Sequence, residues 1–448
     1  MKSDAFKNDG LHQPITEKSS SKLKFTLSRE KSVELWLKGK DEWNLWMKNH
    51  PDTYVDFNHV NFTPDSLASV APDEDLAIYG KHHRYLKTIS FEGYIFNGGA
   101  DFTGANFPSP THFDDARFEG EAKFTGAKFG GEASFTNTIF NSYANFSNAI
   151  FSRTVAFAAT HFASNTHFNS ATFECMAYFT EAAFNITTNF SHAEFKGGTH
   201  FLAATFDCIF VDFKEIKSTS TFSFEGAITD QIQKLSFKGS TFDKDFIIDG
   251  NFNCIPDLRG TKLNHHTELS DLKCNLIREK AIPFTPILKV VDKLDAEKLC
   301  RLKELAEQNK NHDKALMFHA DEMRAKRWTK LNTAQSILDL LYSATSNYGQ
   351  SIMRPLLWLF LSFMLFSSYL AGKSELEMRE ALSPAATTSI ATMTPFISVS
   401  KDARQFGMGQ LFKTDIPRNY YLWSYAHASA SFVFIFLIGL GLRNRFRI

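Results

Sequence analysis

The sequence of residues 99–135, GADFTGANFPSPTHFDDARFEGEAKFTGAKFGGEASF, decides the fold because its phenylalanines alternate at intervals of five and six. A helix needs apolar residues at i, i+3, i+4 and i+7, and these intervals never supply i+3 or i+4. Residues i−2 and i, in contrast, point to the same side of an extended chain. The pattern therefore predicts very short strands, each ending on an inward-pointing ring.

The same pattern extends over residues 88–208, which divide into eleven units of eleven residues with Phe at the fourth and ninth places. The residue two places before the second Phe is Ala or Thr in ten of the eleven units. Gly, Asn, Ser and Thr are frequent just after each Phe, and such residues favour turns. Each block of five or six residues therefore predicts one side of a coil, and the coils stack about 4.8 Å apart.

These motifs resemble a known repeat. Ala100-Asp101-Phe102, Ala105-Asn106-Phe107 and Ala144-Asn145-Phe146 are similar to the A-(D/N)-(L/F)-x-x motif of the pentapeptide-repeat family. The resemblance implies a mainly β protein built as a right-handed quadrilateral β-helix, a solenoid with four sides. Every second unit carries a sixth residue, which we expect to form a small bulge at alternate corners. The alternative of outer-membrane barrel strands is disfavoured because the segments are too short and too rich in turn residues.

The solenoid core is expected to be a column of phenylalanines. Burial of one such ring stabilises a fold by about 1.5–3 kcal/mol, so the repeated rings decide the architecture. The predicted structural core comprises Phe102, Phe107, Phe113, Phe118, Phe124, Phe129, Phe135, Phe140, Phe146, Phe151, Phe157 and Phe162.

The segments around the repeat divide the N-terminal part of the chain. Residues 1–28 are polar, carry no secretory signal and are expected to be disordered. Residues 29–54, with Trp36, Trp43 and Trp46, predict a helical cap over the open end of the solenoid. The β-helix itself is expected over 55–208 with an insertion at 68–87. A degenerate extension follows at 209–282, where the Phe spacing is lost until about residue 234.

The C-terminal part changes to helical and apolar patterns. Residues 292–330 predict a helical hairpin, with Asp313 as the N-cap of its second helix. Residues 353–372 and 420–442 approach the length that crosses a bilayer, and a buried core helix is the alternative. Between them lies a predicted loop, 373–419, and a basic tail, 443–448, ends the chain. Candidate membrane-anchor residues at the ends of the two spans are Trp358, Trp423, Arg443, Arg445 and Arg447.

The two apolar segments also predict where the protein is located in the cell. The stretches FHADEMRAKR, GQSIMRPLLWLF and RNRFRI are similar to the C-terminal region of membrane-attached bacterial pentapeptide-repeat proteins. Because about 350 residues precede the first span without an export signal, we expect the solenoid to stay in the cytoplasm. The expectation is therefore a multi-pass protein of the bacterial inner membrane with both termini cytoplasmic.

No enzyme motif is present in the sequence. There is no P-loop, dinucleotide fingerprint, nucleophile elbow or H-E-x-x-H, and the five cysteines are far apart, which suits a reducing compartment. The histidines His112 and His200 share a predicted side but lie four coils apart, too far to share a metal. The chain is therefore predicted to be non-enzymatic, with no catalytic, cofactor-binding or metal site.

Three functions remain open from the sequence. The favoured one is a membrane-tethered scaffold that presents a rigid surface to a cytoplasmic protein partner, with homo-oligomerisation left open. The second is a two-span pore or ion-channel component, in which part of loop 373–419 re-enters the membrane. The third is a DNA mimic that inhibits a DNA-binding enzyme. Residues 88–208 hold 11 acidic and 5 basic residues, net −6, which is weakly acidic for that role, and no nucleic-acid partner is expected.

Overall fold

The computed structural model describes residues 25–69, 87–265, 267–269, 271–281, 287–413 and 415–446. The chain divides into two compact units. Unit 1 comprises Met1–Phe252 and Gly260–Lys273, and unit 2 comprises Asn253–Arg259 and Cys274–Ile448.

Unit 1 is a parallel β-solenoid, as predicted, and it has about eight turns. Its short strands line up in four sheets that we call faces 1 to 4. Face 1 contains Thr26–Leu27, Tyr54–Asp56, Ala100–Asp101, Ala122–Lys123, Ala144–Asn145, Thr166–His167, Thr187–Asn189, Phe210–Asp212 and Lys234–Ser236. Face 2 contains Asn106–Phe107, Lys128–Phe129, Ile150–Phe151, Thr172–Phe173, Glu194–Phe195, Lys217–Ser218, Thr241–Phe242 and Lys262–Leu263.

The other two faces complete each coil. Face 3 contains Ile89–Ser90, Thr111–His112, Ala133–Ser134, Val155–Ala156, Ala177–Tyr178, Thr199–His200, Phe222–Ser223, Phe246–Ile247 and Thr267–Glu268. Face 4 contains Ile95–Phe96, Arg117–Phe118, Ile139–Phe140, His161–Phe162, Ala183–Phe184 and Thr205–Phe206. Two further strands, Gly250–Phe252 and Leu272–Cys274, form a separate two-stranded sheet.

One coil takes 22 residues through most of the solenoid. On face 1, Ala122 pairs with Ala100 and then with Ala144 in parallel register. Beyond residue 208 the coils continue, although the regular Phe spacing is lost up to about residue 234. Phe210 pairs with Thr187 and Lys234 pairs with Phe210, so these two coils are 23 and 24 residues long (210−187 and 234−210). Extra residues in the corners hide the repeat from a fixed-interval reading.

The interior is filled by stacked rings. All twelve phenylalanines of the predicted core have exposed fractions of 1% or less. Rings one coil apart lie nearly parallel, as in Phe113 and Phe135, whose centroids are 4.9 Å apart with planes 1° from parallel. Rings on adjacent faces of one coil meet edge to face or tilted, as Phe107 and Phe113 do with centroids 6.1 Å apart. Both arrangements are favourable for aromatic quadrupoles.

Alternate corners are tight turns of type II geometry, in which the third residue has positive φ. The amide of Ala105 donates to the carbonyl oxygen of Phe102 (3.0 Å), and Gly104 between them has φ 64°. The same position recurs every eleven residues and is held by Gly126 but also by Ala159, at φ 52°. The backbone conformation at this corner is therefore imposed by the coil rather than by glycine.

Three helices are described near the N-terminal end of unit 1. They are α1 (Arg29–Leu37), α2 (Lys40–Asn49) and the short α3 (Pro64–Ala68). Trp43, fully buried, packs on Phe57 and Phe96 and donates its indole N–H to the carbonyl oxygen of Ile95 (2.9 Å). The prediction that helices cover this end of the solenoid is confirmed.

The predicted N-terminal boundaries need one correction. Residues 25–28 were expected to be disordered, but Thr26–Leu27 forms a strand that pairs with Tyr54 and Val55, extending face 1 past the repeat. The rest of the predicted disordered segment, 1–24, lies outside the described residues, as do residues 70–86 of the predicted insertion.

Unit 2 contains a hairpin that the repeat pattern did not predict. Arg278–Lys280 and Leu288–Val290 pair in antiparallel fashion, so the end of the predicted degenerate extension is a hairpin and not a further coil. Residue 282, where that extension was expected to end, lies outside the described residues. The seven helices described in this unit are α4 (Asp295–Gln308), α5 (His312–Lys326), α6 (Thr333–Ser346), α7 (Met353–Lys373), α8 (Met378–Met393), α9 (Ser398–Leu411) and α10 (Tyr420–Arg445).

Two predictions in unit 2 are wrong. The predicted loop 373–419 holds α8 and α9, whose helical signal is weakened by Ser, Thr and an internal proline, Pro384. The N-cap of α5 is Asn311, whose side chain accepts from the amide of Lys314, so Asp313 lies inside the first turn. The two predicted apolar segments do form long helices, α7 and α10.

Candidate interaction surface and membrane segments

Charges on faces 1 and 2 of the solenoid occur largely as opposite pairs. On face 1, Lys123 lies 3.3 Å from Glu121 and Lys214 lies 3.0 Å from Asp212. On face 2, Lys196 contacts Glu174 on the preceding coil at 2.8 Å. Because cations stand beside many of the acids, these faces carry a mixed surface and not an acidic stripe.

Face 3 carries the histidines considered in the sequence. His112 lies 3.0 Å from Asp114, whereas His200 stacks on Tyr178 with ring centroids 5.8 Å apart. Three strands of face 3 separate the two histidines, so the structure does not bring them together. Within the described residues no group of three or more His, Cys, Asp or Glu side chains is placed to hold a metal ion.

Three exposed isoleucines form an apolar ridge at the corner between faces 4 and 1 and on the adjoining part of face 4. We define the isoleucine ridge as Ile186, Ile209 and Ile228, which are 43%, 58% and 53% exposed. Ile209 lies one coil above Ile186, with its amide donating to the Ile186 carbonyl oxygen (3.1 Å), and Ile228 forms a bridge with Thr205 on face 4. Sequence reasoning missed this ridge because the 23- and 24-residue coils put Ile209 and Ile228 outside the regular repeat.

The ridge stands on a rigid support. Phe184 and Phe206 fill the core beneath it with centroids 5.0 Å apart, and Cys208 beside them is buried. Burial raises the pKa of the Cys208 thiol to about 12, so this sulfur is a packing group and not a nucleophile. A surface of this kind can recognise a partner by shape, since each ridge position is fixed by the ladder below it.

In unit 2 the two long apolar helices pack antiparallel. Trp358 of α7 stacks on Phe434 of α10, and Tyr369 near the end of α7 lies beside Trp423 near the start of α10. The predicted anchor residues Trp358 and Trp423 line one apolar groove between the helices. Arg443 and Arg445 lie exposed in the last turn of α10, and Arg447 lies outside the described residues.

The hairpin of α8 and α9 packs against these helices at one end. The carbonyl oxygen of Leu411, the last residue of α9, accepts from the Ser374 hydroxyl (3.1 Å) next to the end of α7. Deeper in, His427 of α10 contacts the hydroxyl of Ser362 on α7 through Nδ1 (2.8 Å) and that of Ser389 on α8 through Nε2 (3.1 Å). His427 therefore ties three helices together through both ring nitrogens.

A charged cluster joins α4 and α5. The Glu322 carboxylate, 3% exposed, accepts from Lys303 Nζ (2.9 Å) and from Lys326 Nζ. Burial alone would raise the pKa of Glu322, but the hydrogen bonds from Lys326 and Lys303 outweigh it, so the pKa is lowered. Glu322 is thus held as a carboxylate, which stabilises the pair of helices and suggests no proton-transfer role.

A second buried cluster was not expected from the sequence. Arg327 Nε donates to Asp339 Oδ2 on α6 (2.6 Å), and Tyr348 also donates to this carboxylate (3.1 Å). The only signal in the sequence is that Asp339 is the sole charged residue of TAQSILDLLYSATS. Charge on an otherwise uncharged helix predicts a partner, but the sequence does not say which.

Comparisons with known proteins agree with the solenoid. A family model for pentapeptide repeats (9 copies) matches residues 113–161. This segment is built of pentapeptide repeats. Neither a search of curated proteins nor a search of solved structures found a match. The parallel strands of the solenoid continue on both sides of the matched residues.

Proposed function

We propose that the protein is a membrane-tethered, non-enzymatic scaffold whose pentapeptide-repeat solenoid presents a rigid surface to a cytoplasmic protein partner. The observation that carries the proposal is the exposure of α7 and α10. In the most apolar 18-residue window of each, only 28% and 22% of the residues are buried. A core helix of a soluble protein would be mostly buried, so lipid is the environment that fits these surfaces.

The antiparallel packing of α7 and α10 supports a two-span anchor with both ends of the chain on one side. Basic residues at the α10 end, Arg443 and Arg445, favour placing that side in the cytoplasm. Trp358 and Trp423 would then serve as interfacial anchors. The similarity of the C-terminal stretches to membrane-attached bacterial proteins supports the bacterial inner membrane as the location.

The α8–α9 hairpin supports a re-entrant element within this anchor. Ser389 is the twelfth residue of α8, about 16 Å along the helix from its start at Met378. It meets His427, the eighth residue of α10, and the chain then returns to the end of α7 at Leu411. A helical hairpin satisfies its own backbone hydrogen bonds, so it can enter lipid where a loop could not.

The isoleucine ridge is the proposed contact surface for the partner. Apolar, weakly charged patches with a fixed shape favour protein recognition, because charge is depleted at the centre of most interfaces. The partner is therefore a protein with a complementary apolar groove, and a second copy of the chain would also be detected by the experiment below.

The anchor is tested by alkaline extraction of membranes and by protease treatment of spheroplasts. We expect the chain to remain in the alkaline pellet and the solenoid to be digested only after lysis. Release of the chain into the alkaline supernatant would reject the two-span anchor.

The contact surface is tested by a photo-crosslinking residue at position 209 or 228 in cells. The matched control is Ile150, an exposed isoleucine on face 2. We expect one discrete adduct from 209 and 228, none from 150, and loss of the 228 adduct when Ile209→Glu is added. Equal crosslinking at all three positions would reject the ridge as a specific surface.

A pore remains the second candidate, favoured by the hairpin and by the polar side chains buried among α7, α8 and α10. Buried Thr388, Ser389, Thr392 and His427 could line a path, although such residues also serve as hydrogen-bonding contacts between membrane helices. If the chain showed conductance in planar bilayers and deletion of residues 381–400 abolished it, the channel hypothesis would replace the scaffold hypothesis. The DNA-mimic hypothesis gains no support from the mixed charges of faces 1 and 2.

A further inference from the structure

Helix α6 (Thr333–Ser346) has its polarity reversed with respect to a helix of a soluble protein. Its buried side chains are Ser336, Asp339 and Ser346. Its exposed side includes the apolar residues Ile337, Leu338, Leu340 and Leu341, and Leu338 is 66% exposed. In a water-soluble unit an amphipathic helix turns its apolar side inward. We therefore do not expect the exposed apolar side of α6 to face water.

Specific hydrogen bonds hold the polar side of α6 inward. The Asp339 carboxylate accepts from Arg327 and Tyr348. The Ser336 hydroxyl accepts from the amide of Trp328 (3.1 Å), and the Ser346 hydroxyl accepts from the amide of Gly349 (3.0 Å). Rotation of α6 about its axis would break all of these hydrogen bonds. They therefore hold the apolar side of the helix outward.

The surroundings of α6 place it beside the ends of the two apolar helices. Arg354, in the first turn of α7, donates to the carbonyl oxygen of Ser343 (3.0 Å). Asn444, in the last turn of α10, donates to the carbonyl oxygen of Gly349 (3.0 Å) just beyond α6. Arg443 is close enough to Tyr342 to interact with it electrostatically. A helix at this level lies where a bilayer crossed by α7 and α10 has its headgroups.

We propose that α6 is an interfacial helix that inserts Ile337, Leu338 and Leu341 into the anionic lipid surface of the same membrane. The inference rests on the proposed two-span anchor. Helices of this type lie about 5–10 Å deep at the boundary of headgroups and acyl chains. Arg354 and Arg443 beside α6 suit phosphate headgroups. The single acidic residue of α6 is neutralised inside the protein.

We assign the exposed side of α6 to a lipid surface and not to a second protein because it is continuous with the membrane helix α7. α6 contains no exposed charged side chain that could fix the register of a protein interface. Only six residues, 347–352, separate it from α7, so lipid reaches its apolar side as soon as α7 is inserted. A second copy of the chain remains the competing occupant, and the experiment separates the two.

The test uses the full chain in nanodiscs of phosphatidylethanolamine and phosphatidylglycerol, with the half-buried Cys175, Cys274 and Cys300 replaced by Ser. One nitroxide is placed at Leu338→Cys. The water control is Asp313→Cys, exposed on α5, and the lipid control is Phe432→Cys, 64% exposed on α10. Accessibility to oxygen and to the polar reagent NiEDDA is measured for each label after checking helix and strand content by circular dichroism.

We expect the ratio of oxygen to NiEDDA accessibility at 338 to lie well above that at 313 and below that at 432. A ratio at 338 equal to that at 313, with 432 still lipid-exposed, would overturn the interfacial helix and leave the anchor intact. A water-exposed label at 432 would overturn the anchor and, with it, the inference. Shielding of 338 from both reagents, with a dipolar coupling between two labelled copies, would assign the surface to a second copy.

Discussion

Phe124 and Phe146 stack with ring centroids 4.7 Å apart and planes 1° from parallel, and Phe146 repeats this contact with Phe168 at 4.9 Å. The centroid spacing equals the distance between hydrogen-bonded strands. The backbone ladder and the ring column therefore share one repeat, so neither can form without the other.

Truncation of one ring tests this coupling. Phe146→Ala should lower the free energy of unfolding by about 3–5 kcal/mol, since the two stacked neighbours cannot move along the ladder to close the cavity. Phe146→Asp, which buries an unpaired charge, should abolish the solenoid. Lys128→Ala, an exposed change on face 2, is the control and should alter stability by less than about 0.5 kcal/mol. Urea unfolding followed by circular dichroism measures all three, and tolerance of Phe146→Asp would contradict the model of a closed core.

The turn positions offer a reciprocal pair of substitutions. Gly126 has φ 65° and a Cβ added there would meet no atom within 4 Å, so Gly126→Ala should cost only the conformational penalty, about 1–2 kcal/mol. Ala159 already bears that penalty at φ 52°, and Ala159→Gly should stabilise the solenoid by a similar amount, reduced by the greater chain entropy of glycine. Thermal unfolding gives the sign of each change in stability. If Ala159→Gly were destabilising, Ala159 would not be strained in the parent chain.

The pH dependence of unit 2 should carry a contribution from Glu322. Its pKa is lower in the folded state, so the folded chain releases this proton more readily than the unfolded chain does. The stabilisation is therefore fully present above the unfolded pKa of about 4.3 and is lost as pH falls through the folded value. Glu322→Gln should remove this acid-sensitive part of the unfolding free energy between pH 6 and pH 3.

The control for Glu322 is Glu307→Gln on α4, an exposed carboxylate without hydrogen bonds from Lys303 or Lys326 in the described structure. Denaturant unfolding at a series of pH values gives the difference between each variant and the parent chain. A Glu322→Gln profile parallel to that of the parent would show that the Lys303 and Lys326 contacts do not persist in solution.

The Arg327–Asp339 pair should be strongly coupled. Removal of one partner leaves a buried charge, and Arg327→Leu or Asp339→Leu alone should cost about 3–5 kcal/mol. The double variant should cost much less than the sum because neither charge remains. A double-mutant cycle by pulse proteolysis in detergent measures the coupling energy. Additive effects would mean that the two side chains do not interact.

The sequence could predict the solenoid because each of its signals is local. A phenylalanine two places after a small residue points inward whatever the rest of the chain does. The coils of 210–234 were not recognised because one or two added corner residues shift the spacing of the phenylalanines. Phe213 nevertheless stacks between Phe190 and Phe237, with ring centroids 4.8 and 5.0 Å away. Register is set by the ladder, and a fixed interval in sequence is only its usual consequence.

The helices of unit 2 were less predictable for a different reason. Arg327 and Tyr348 determine which side of α6 is buried. Both residues lie outside α6 in the sequence, so the periodicity of the helix does not identify them. In α8, Ser and Thr side chains compete for the backbone, so its helix depends on packing against α7 and α10. The isoleucine ridge likewise arises from coil stacking and has no motif of its own.

The contact between Ser389 and His427 decides whether α8 is held among the spans. Ser389→Ala removes the hydrogen bond to His427 and a longer one to the Phe363 carbonyl oxygen (3.5 Å). It should cost about 0.6 kcal/mol per bond, the average for such bonds between membrane helices. His427→Ala also loses Ser362 and the stacking on Phe366, whose ring centroid lies 4.6 Å away, so its effect should be larger. Hydrogen exchange of Met378–Met393 in nanodiscs should quicken in that order. Ser383→Ala, an exposed serine of the same helix, should leave exchange unchanged, and slow exchange of α8 in the absence of His427 would mean that another contact holds the hairpin in place.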